Sequence, residues 1–276
     1  QFRVPLNHLQ ALCQRAVDTG LQGIALFPVI EPSLKTSDAA EALNPEGLVP
    51  RAVKQIKSQF PHLTVITDIA LDPFSSDGHD GLVRDGVVLN DDTVSILAQM
   101  ALVHAQSGVD IVAPSDMMDG RVGAIRQCLD KNGFSHTSIL AYTAKYASSL
   151  YGPFRDALSS TPSFGDKKTY QMNPSNRREA LREAQLDATE GADMLMVKPA
   201  LFYLDIISDL QQMSSLPIAA YHVSGEYSML KAAAEKGWLD FNEALLEGIT
   251  SIKRAGADII FTYGALEIAN LLQKTD

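Results

Sequence analysis

Two lysines end apolar runs. In "DMLMVKPA" (193–200), Lys198 follows Met194, Leu195, Met196 and Val197, and in "ILAYTAK" Lys145 holds the same place. An ammonium is strongly hydrated, so burial without a partner costs several kcal/mol or drives the pKa down. One explanation is a buried ion pair, or a packed stem with the head in water. The other is chemical. A lysine desolvated beside a second cation becomes a neutral amine, the form that attacks a ketone to make a Schiff base. In "TDIALDPFSSDGHDG", Asp68, Asp72, Asp77, His79 and Asp80 fall within 13 residues. Carboxylates without thiolates suit a hard cation such as Mg2+. The same composition also makes an ordinary Asx turn, and both readings stay open. Ser115 and Asp116 end the run in "APSDMMDGRVGAIR", where Asp119 or Gly120 is expected to cap the next helix. Arg155 offers a fork that matches a carboxylate, Lys168 reads as solvated surface charge, and His222 reads as a core or hydrogen-bonding histidine.

These residues need a frame to bring them together, and one unit recurs along the chain. An amphipathic helix ends at Gly, a few residues follow, and a short apolar strand begins. "DTGLQGIALFPV", "QSGVDIVAPSD", "TEGADMLMVKP" and "RAGADIIFTY" all carry it. Further strands are expected at 63–71, 138–144 and 216–223, with helices at 47–59, 91–107, 121–132, 175–190, 203–213, 226–236 and 241–255. The strands show no polar alternation, as expected of parallel strands covered on both faces. Seven strands alternating with helices predict an α/β fold, a (β/α)8 TIM barrel or an open doubly wound sheet. The barrel is favoured because Asp68, Ser115, Asp116, Lys145, Lys198, Ser224 and Tyr263 all sit at C-terminal strand ends, which a barrel aims at one mouth. No G-x-G-x-x-G follows a strand, which weakens a dinucleotide reading. One barrel domain over 1–276 is expected, with a first strand and an N-terminal arm upstream of Gln1. Two long connections, 71–90 and 146–174, follow strands and so cover the mouth. The second is rich in Gly, Pro, Ser and basic residues and reads as a lid with anion-binding groups.

Composition narrows the function classes. The chain has 276 residues, 46% hydrophobic content and a net charge of −10. The length supports a large core, and the charge disfavours a nucleic-acid backbone as partner. No apolar run approaches the ~18 residues of a membrane span. Two cysteines, Cys13 and Cys128, form no disulfide framework and no zinc motif, which favours a reducing compartment.

Longer motifs then become specific. "SDMMDGRVGAIR", "AYTAKYASSLYGPFRDA", "FGDKKTYQMNP", "MVKPA", "VSGEYSM" and "KRAGADII", in that order over residues 20 to 270, resemble the porphobilinogen synthase (5-aminolevulinate dehydratase) family. The resemblance implies a lyase of the hydro-lyase type. It condenses two molecules of 5-aminolevulinate into porphobilinogen through lysine Schiff bases, in heme and chlorophyll synthesis. By motif, Lys198 takes the first substrate, which becomes the propionate side, and Lys145 the second, which becomes the acetate side. Ser224 and Tyr263 match positions that hold the first carboxylate. Arg155, Lys167 and Gln171 match those that hold the second, and Asp68 and Ser115 line the site, with Asp116 near it. Zinc-dependent members carry three cysteines where this chain has Ala70, Asp72 and Asp80. The resemblance is therefore to the aspartate-rich, magnesium-responsive branch, with Asp72, Asp80 and Asp116 as further metal candidates. Glu183 matches an allosteric Mg2+ ligand reached largely through water. No organic cofactor is implied. A homo-octamer built by the N-terminal arm is. "SSDGHDG" is plant-like and points to a plastid stroma, with a bacterial cytoplasm as the alternative. Gly264 departs from a more usual aromatic residue.

Two other readings compete. A class I aldolase also uses a barrel lysine but needs one, and usually binds a phosphate. A non-catalytic barrel that binds a carboxylate ligand leaves two mouth lysines without a reason.

Overall fold

The computed structural model describes residues 3–158 and 162–273, with the side chains of Arg155, Asp156 and Leu158 excepted. In chain order the elements are α1 (Leu9–Asp18), β1 (Gly23–Leu26), α2 (Leu48–Gln59), β2 (Thr64–Ile69), β3 (Val83–Arg84), β4 (Val87–Val88), α3 (Asn90–Gln106), β5 (Ile111–Pro114), α4 (Arg121–Lys131), β6 (Ser138–Lys145), α5 (Gly152–Leu158), α6 (Arg177–Glu190), β7 (Met194–Lys198), α7 (Leu204–Met213), β8 (Ile218–His222), α8 (Ser224–Glu235), α9 (Phe241–Ala255), β9 (Ile259–Thr262) and α10 (Ala265–Leu272). Seven parallel strands curl into one sheet in the order β1-β2-β5-β6-β7-β8-β9, with helices outside: the wall of a (β/α) barrel. All seven expected strands and all seven expected helices are present.

The recurring Gly and Asp explain how the wall is set. Gly20, Gly108, Gly191 and Gly256 follow helices with φ between 78° and 119°, a region that penalises any Cβ. Two residues after the last three of these comes an aspartate. Asp110 accepts from the backbone N–H of Val65, Asp193 from Ile139 and Asp258 from Ile218, each on the preceding strand of the sheet. Each helix–strand junction is thus tied to its neighbour at the N-terminal end of the wall.

Two apolar clusters separate the inside of the wall from the layer beneath the helices. Ile66, Ala113, Leu140, Tyr142, Met196, Ala219 and Tyr221 pack inside; Val65, Val112, Ile139, Ala141, Leu195 and Ala220 pack outward. The period of two therefore carries Ile66 to Asp68, Ala113 to Ser115 and Met196 to Lys198 on the inner face. β6 alone breaks this rhythm. Tyr142 points in, Ala144 packs outward, and the register against β7 shifts between Ala141 and Ala144. One extra residue re-aims Lys145 inward and places it opposite Lys198 in the ladder.

The loops are more structured than their composition implies. The 71–90 connection contains the β3–β4 hairpin, and the 146–174 lid contains α5 and a bridge between Tyr146 and Met172. Gly120, with φ 76°, occupies the cap of α4, and Asp119 makes no side-chain cap there.

Candidate active site

Lys198 and Lys145 are register partners on adjacent parallel strands and are both buried. Their environments differ. Lys198 Nζ lies among four aromatic rings, 4.6 Å from the centre of Tyr221 and 5.2 Å from those of Tyr142, Tyr151 and Phe154. Among the described residues no carboxylate pairs with it. Burial, and then the neighbouring Lys145 charge, push its pKa down to about 7. Its carbonyl accepts from Tyr146 N–H at 2.9 Å and from the Tyr151 hydroxyl at 3.1 Å, which fixes the strand end beneath the amine.

Lys145 Nζ donates to Asp80 Oδ2 at 3.2 Å and to the Ser115 carbonyl. Asp80 continues the network, since its other oxygen accepts from Lys167 Nζ at 2.7 Å. Lys167 also donates to Asp72 Oδ2 at 3.2 Å. All four groups are buried. Burial alone would raise Asp80, but the Lys145 and Lys167 ammoniums hold it at about 2. Burial would lower Lys167, but Asp72 and Asp80 raise it. Two carboxylates therefore face two ammoniums in a closed balance.

Asp68 lies between the two lysine environments. It is buried, its Oδ1 has no partner, and burial raises its pKa to about 7 against the Ser115 hydroxyl and both lysines. A carboxyl and an amine poised at similar pKa values in one mouth can exchange protons with a bound ketone.

Ser224 opens α8 with its hydroxyl buried and unpartnered, and the Tyr263 hydroxyl is 3.3 Å from that of Tyr221. An orphan hydroxyl on a helix N-terminus is a donor waiting for an anion. Gln171 is buried in the lid. The Arg155 side chain lies outside the described residues.

The lid is latched to the 71–90 loop. The Phe164 carbonyl can only accept, so His79 Nε2 carries the proton and donates to it at 3.1 Å. His79 Nδ1 then accepts from the Tyr170 hydroxyl at 3.1 Å, which in turn accepts from Asp80 N–H. Ser163 N–H donates to the Asp77 carbonyl at 2.9 Å. Lys168 is exposed beside Asp166, and His222 pairs with Thr262 on the outer face, as expected.

The metal candidates fall into two groups. Asp72 and Asp80 are engaged by lysines, and Asp116, raised to about 6 by burial against the Arg121 charge, caps Met118 N–H at 2.7 Å. A metal ion at any of these must compete with a side-chain cation already in place. Glu183, half-buried on α6, is different. Burial and then Asp187 raise its carboxyl, with Asp119 and Glu179 adding to the effect against Arg121. Asp187 Oδ2 is buried without a partner. Among the described residues no group of three or more His, Cys, Asp or Glu is disposed to ligate one ion. The Glu183 face thus gathers carboxylates in excess of the Arg121 guanidinium, with one buried oxygen left unpartnered.

Sequence reading missed the aromatic box, because its rings come from β6, α5, β8 and the turn before α5. It missed Arg121, a buried guanidinium that donates to the Met118 and Tyr142 carbonyls and sits 3.6 Å from Asp116 and Asp187. "MDGRVGAIR" presents that arginine as one more polar helix residue.

Comparisons with known proteins identify the family. The family model for delta-aminolevulinic acid dehydratase matches residues 1–271. The chloroplastic enzyme of Selaginella martensii is 60% identical over 259 residues, which is 94% of this chain and 62% of the relative. That of Glycine max is 58% identical over 259 residues, 94% and 63% of the two chains. The chain thus spans about three fifths of the length of these curated relatives. The crystal structure of the Toxoplasma gondii porphobilinogen synthase, solved in complex with the reaction product porphobilinogen, superposes with a TM-score of 0.98 at 52% identity, over 99% of this chain and 79% of that one. With its barrel wall, its two register-paired lysines and these matches, the chain belongs to the delta-aminolevulinic acid dehydratase family.

Proposed function

We propose that the protein is a porphobilinogen synthase, which joins two molecules of 5-aminolevulinate with loss of water. The observation that carries this reading is the pair of buried lysines in register, one in an aromatic box without a counter-ion and one tied to Asp80. In its neutral form Lys198 adds through Nζ to the ketone carbon of the first 5-aminolevulinate. On addition one amine proton passes to the ketone oxygen to give a carbinolamine; the second amine proton and that hydroxyl then leave as water, and an imine remains. Asp68, unpartnered at Oδ1 and poised near neutrality, is placed to give the proton that turns the hydroxyl into a leaving group. Lys145 takes the second ketone in the same way, its two amine protons leaving with the ketone oxygen as water, and Asp80 holds its Nζ in place by a hydrogen bond. Ser224 and Tyr263 receive the first carboxylate, and Lys167, Gln171 and Arg155 the second. Holding both imines on neighbouring strands replaces a bimolecular encounter by a positioned one.

Mg2+ fits the Glu183 face, where it would neutralise carboxylates that lack matching cations and act at a distance from the lysines. The chloroplastic relatives support a plastid location, and the family resemblance supports a homo-oligomer, an octamer. No helix among the described residues is long and apolar enough to cross a membrane.

The test is reductive trapping. Protein incubated with 5-aminolevulinate and borohydride is expected to carry adducts at Lys198 and Lys145, located by peptide mapping, and to form porphobilinogen without borohydride. Adducts confined to surface lysines would overturn the reading.

A further inference from the structure

Glu226 is a buried carboxylate with no base beside it among the described residues. It stands at the third position of α8 and is fully enclosed. Its Oε1 accepts from Leu201 N–H at 2.6 Å and its Oε2 from Val223 N–H at 2.5 Å, and Ala200 N–H also faces it. Burial pushes its pKa up to about 7, while these amides and the positive end of α8 oppose the shift. A charge kept there at such cost needs a return beyond packing, since an apolar side chain of equal size would fill the space.

The two donors show what is held. Leu201 lies three residues after Lys198, and Val223 immediately precedes Ser224. The ladder between β6 and β7 runs as far as Lys145 and Lys198, but the ladder between β7 and β8 stops at Val197 and Ala220. On its β8 side, the chain that carries Lys198 past the ladder is tied through the Glu226 carboxylate. One oxygen grips the segment after the amine and the other the residue before the orphan hydroxyl.

We propose that Glu226 is a positioning residue that locks the ends of β7 and β8 together and so sets the separation between Lys198 and Ser224. This rests on the synthase reading, in which the ketone of 5-aminolevulinate meets Lys198 while its carboxylate, a few bonds away, meets Ser224. That spacing is fixed by the substrate, and an error of about 1 Å in such an arrangement can cost about a hundredfold. Both oxygens accept, so glutamine cannot replace the carboxylate. Its amide would turn an N–H against one of the two donors.

The experiment compares two ketones on the unsubstituted protein and on Glu226→Gln, with borohydride trapping read separately at Lys198 and Lys145. With subsaturating 5-aminolevulinate, Lys198 labelling is expected to fall ten- to a hundredfold in the variant, while Lys145 labelling stays within about threefold. With acetone, which has no carboxylate to place, Lys198 labelling is expected to be unchanged. Ser224→Ala is expected to lower Lys198 labelling by 5-aminolevulinate, and adding Glu226→Gln to it to bring little further loss, because both act on one spacing. If Glu226→Gln does not yield folded protein, Glu226→Asp carries the same comparison, since it keeps the charge but is one methylene too short to reach both loops. Equal losses at both lysines, an equal loss with acetone, or no loss at all would overturn the positioning role. Absence of Lys198 labelling in the unsubstituted protein would instead overturn the synthase reading.

Discussion

Lys198 and Lys167 are both buried at one mouth, yet their surroundings are opposite. Lys167 faces two carboxylates at 2.7 and 3.2 Å, which raise its pKa. Lys198 faces four aromatic rings and a second ammonium, and burial brings it down to about 7. The same side chain is a fixed cation in one place and an amine partly neutral near pH 7 in the other, and the difference lies in the neighbours. Lys145 has one carboxylate beside it and Lys198 across the ladder.

The comparison breaks most directly at the chemistry. Lys198→Met is expected to lower porphobilinogen formation by about 10^4-fold or more, as removal of a covalent nucleophile does. Activity within tenfold of the parent would show that the aromatic box holds no reacting amine.

Stability should move the other way. Lys167→Met leaves Asp72 and Asp80 buried and undercompensated, and is expected to cost about 3–5 kcal/mol in denaturant unfolding. Lys198→Met removes a buried group without a counter-ion, and is expected to be neutral or stabilising. The pH dependence has a definite sign. Lys198 is depressed from 10.5 to about 7, so its penalty on folding is full below about pH 7 and fades as pH rises toward 10.5. Any gain from Lys198→Met should follow that window. Asp80 is depressed from 3.8 to about 2, so its contribution is present above pH 3.8 and is lost as pH falls toward 2. A larger loss of stability in Lys198→Met than in Lys167→Met would reverse the assignment of the two lysines.

The same shift governs reactivity. Only the neutral amine attacks, so the initial rate of Lys198 trapping should rise about tenfold per pH unit below about pH 7 and level off above it. A rate that keeps climbing to pH 10 would mean that burial and the Lys145 charge do not depress this amine.

Much of this frame was legible in the chain. Apolar runs located every wall strand, four of them after a capping Gly, and polar residues at the strand ends located the mouth. The lysine pair was visible as two charges closing two such runs. Its alignment was not, because strict alternation from Tyr142 reaches Ala144 and would have turned Lys145 outward. The bulge depends on pairing with β7, which no local pattern encodes. The aromatic box and Glu226 were hidden for a related reason. Tyr151 and Tyr221 read as core, and Glu226 reads as an acidic residue in the first turn of a helix. Only the meeting of distant segments gives them partners. Lys167 was read as a carboxylate binder, and the structure adds that it is already balanced by Asp72 and Asp80.

That balance bears on the smallest expected effect, the response to metal. Asp72 and Asp80 are matched by two ammoniums, so a divalent cation gains little there unless it displaces a lysine. Around Glu183, by contrast, Asp187, Asp119 and Glu179 stand against the Arg121 guanidinium, and Asp187 Oδ2 has no partner. Added charge relief is available on that face, whereas Asp72 and Asp80 are already matched. Removing Mg2+ with a chelator should therefore lower activity a few-fold, and adding it back should restore it. Glu183→Gln should abolish the response while both lysines still form adducts with 5-aminolevulinate. A zinc-selective chelator should leave activity intact, because no thiolate lies in the 68–80 segment to hold zinc. If Asp72→Asn removes the Mg2+ response and Glu183→Gln does not, the cation belongs at the mouth, and the lysine–carboxylate balance seen there must open to admit it.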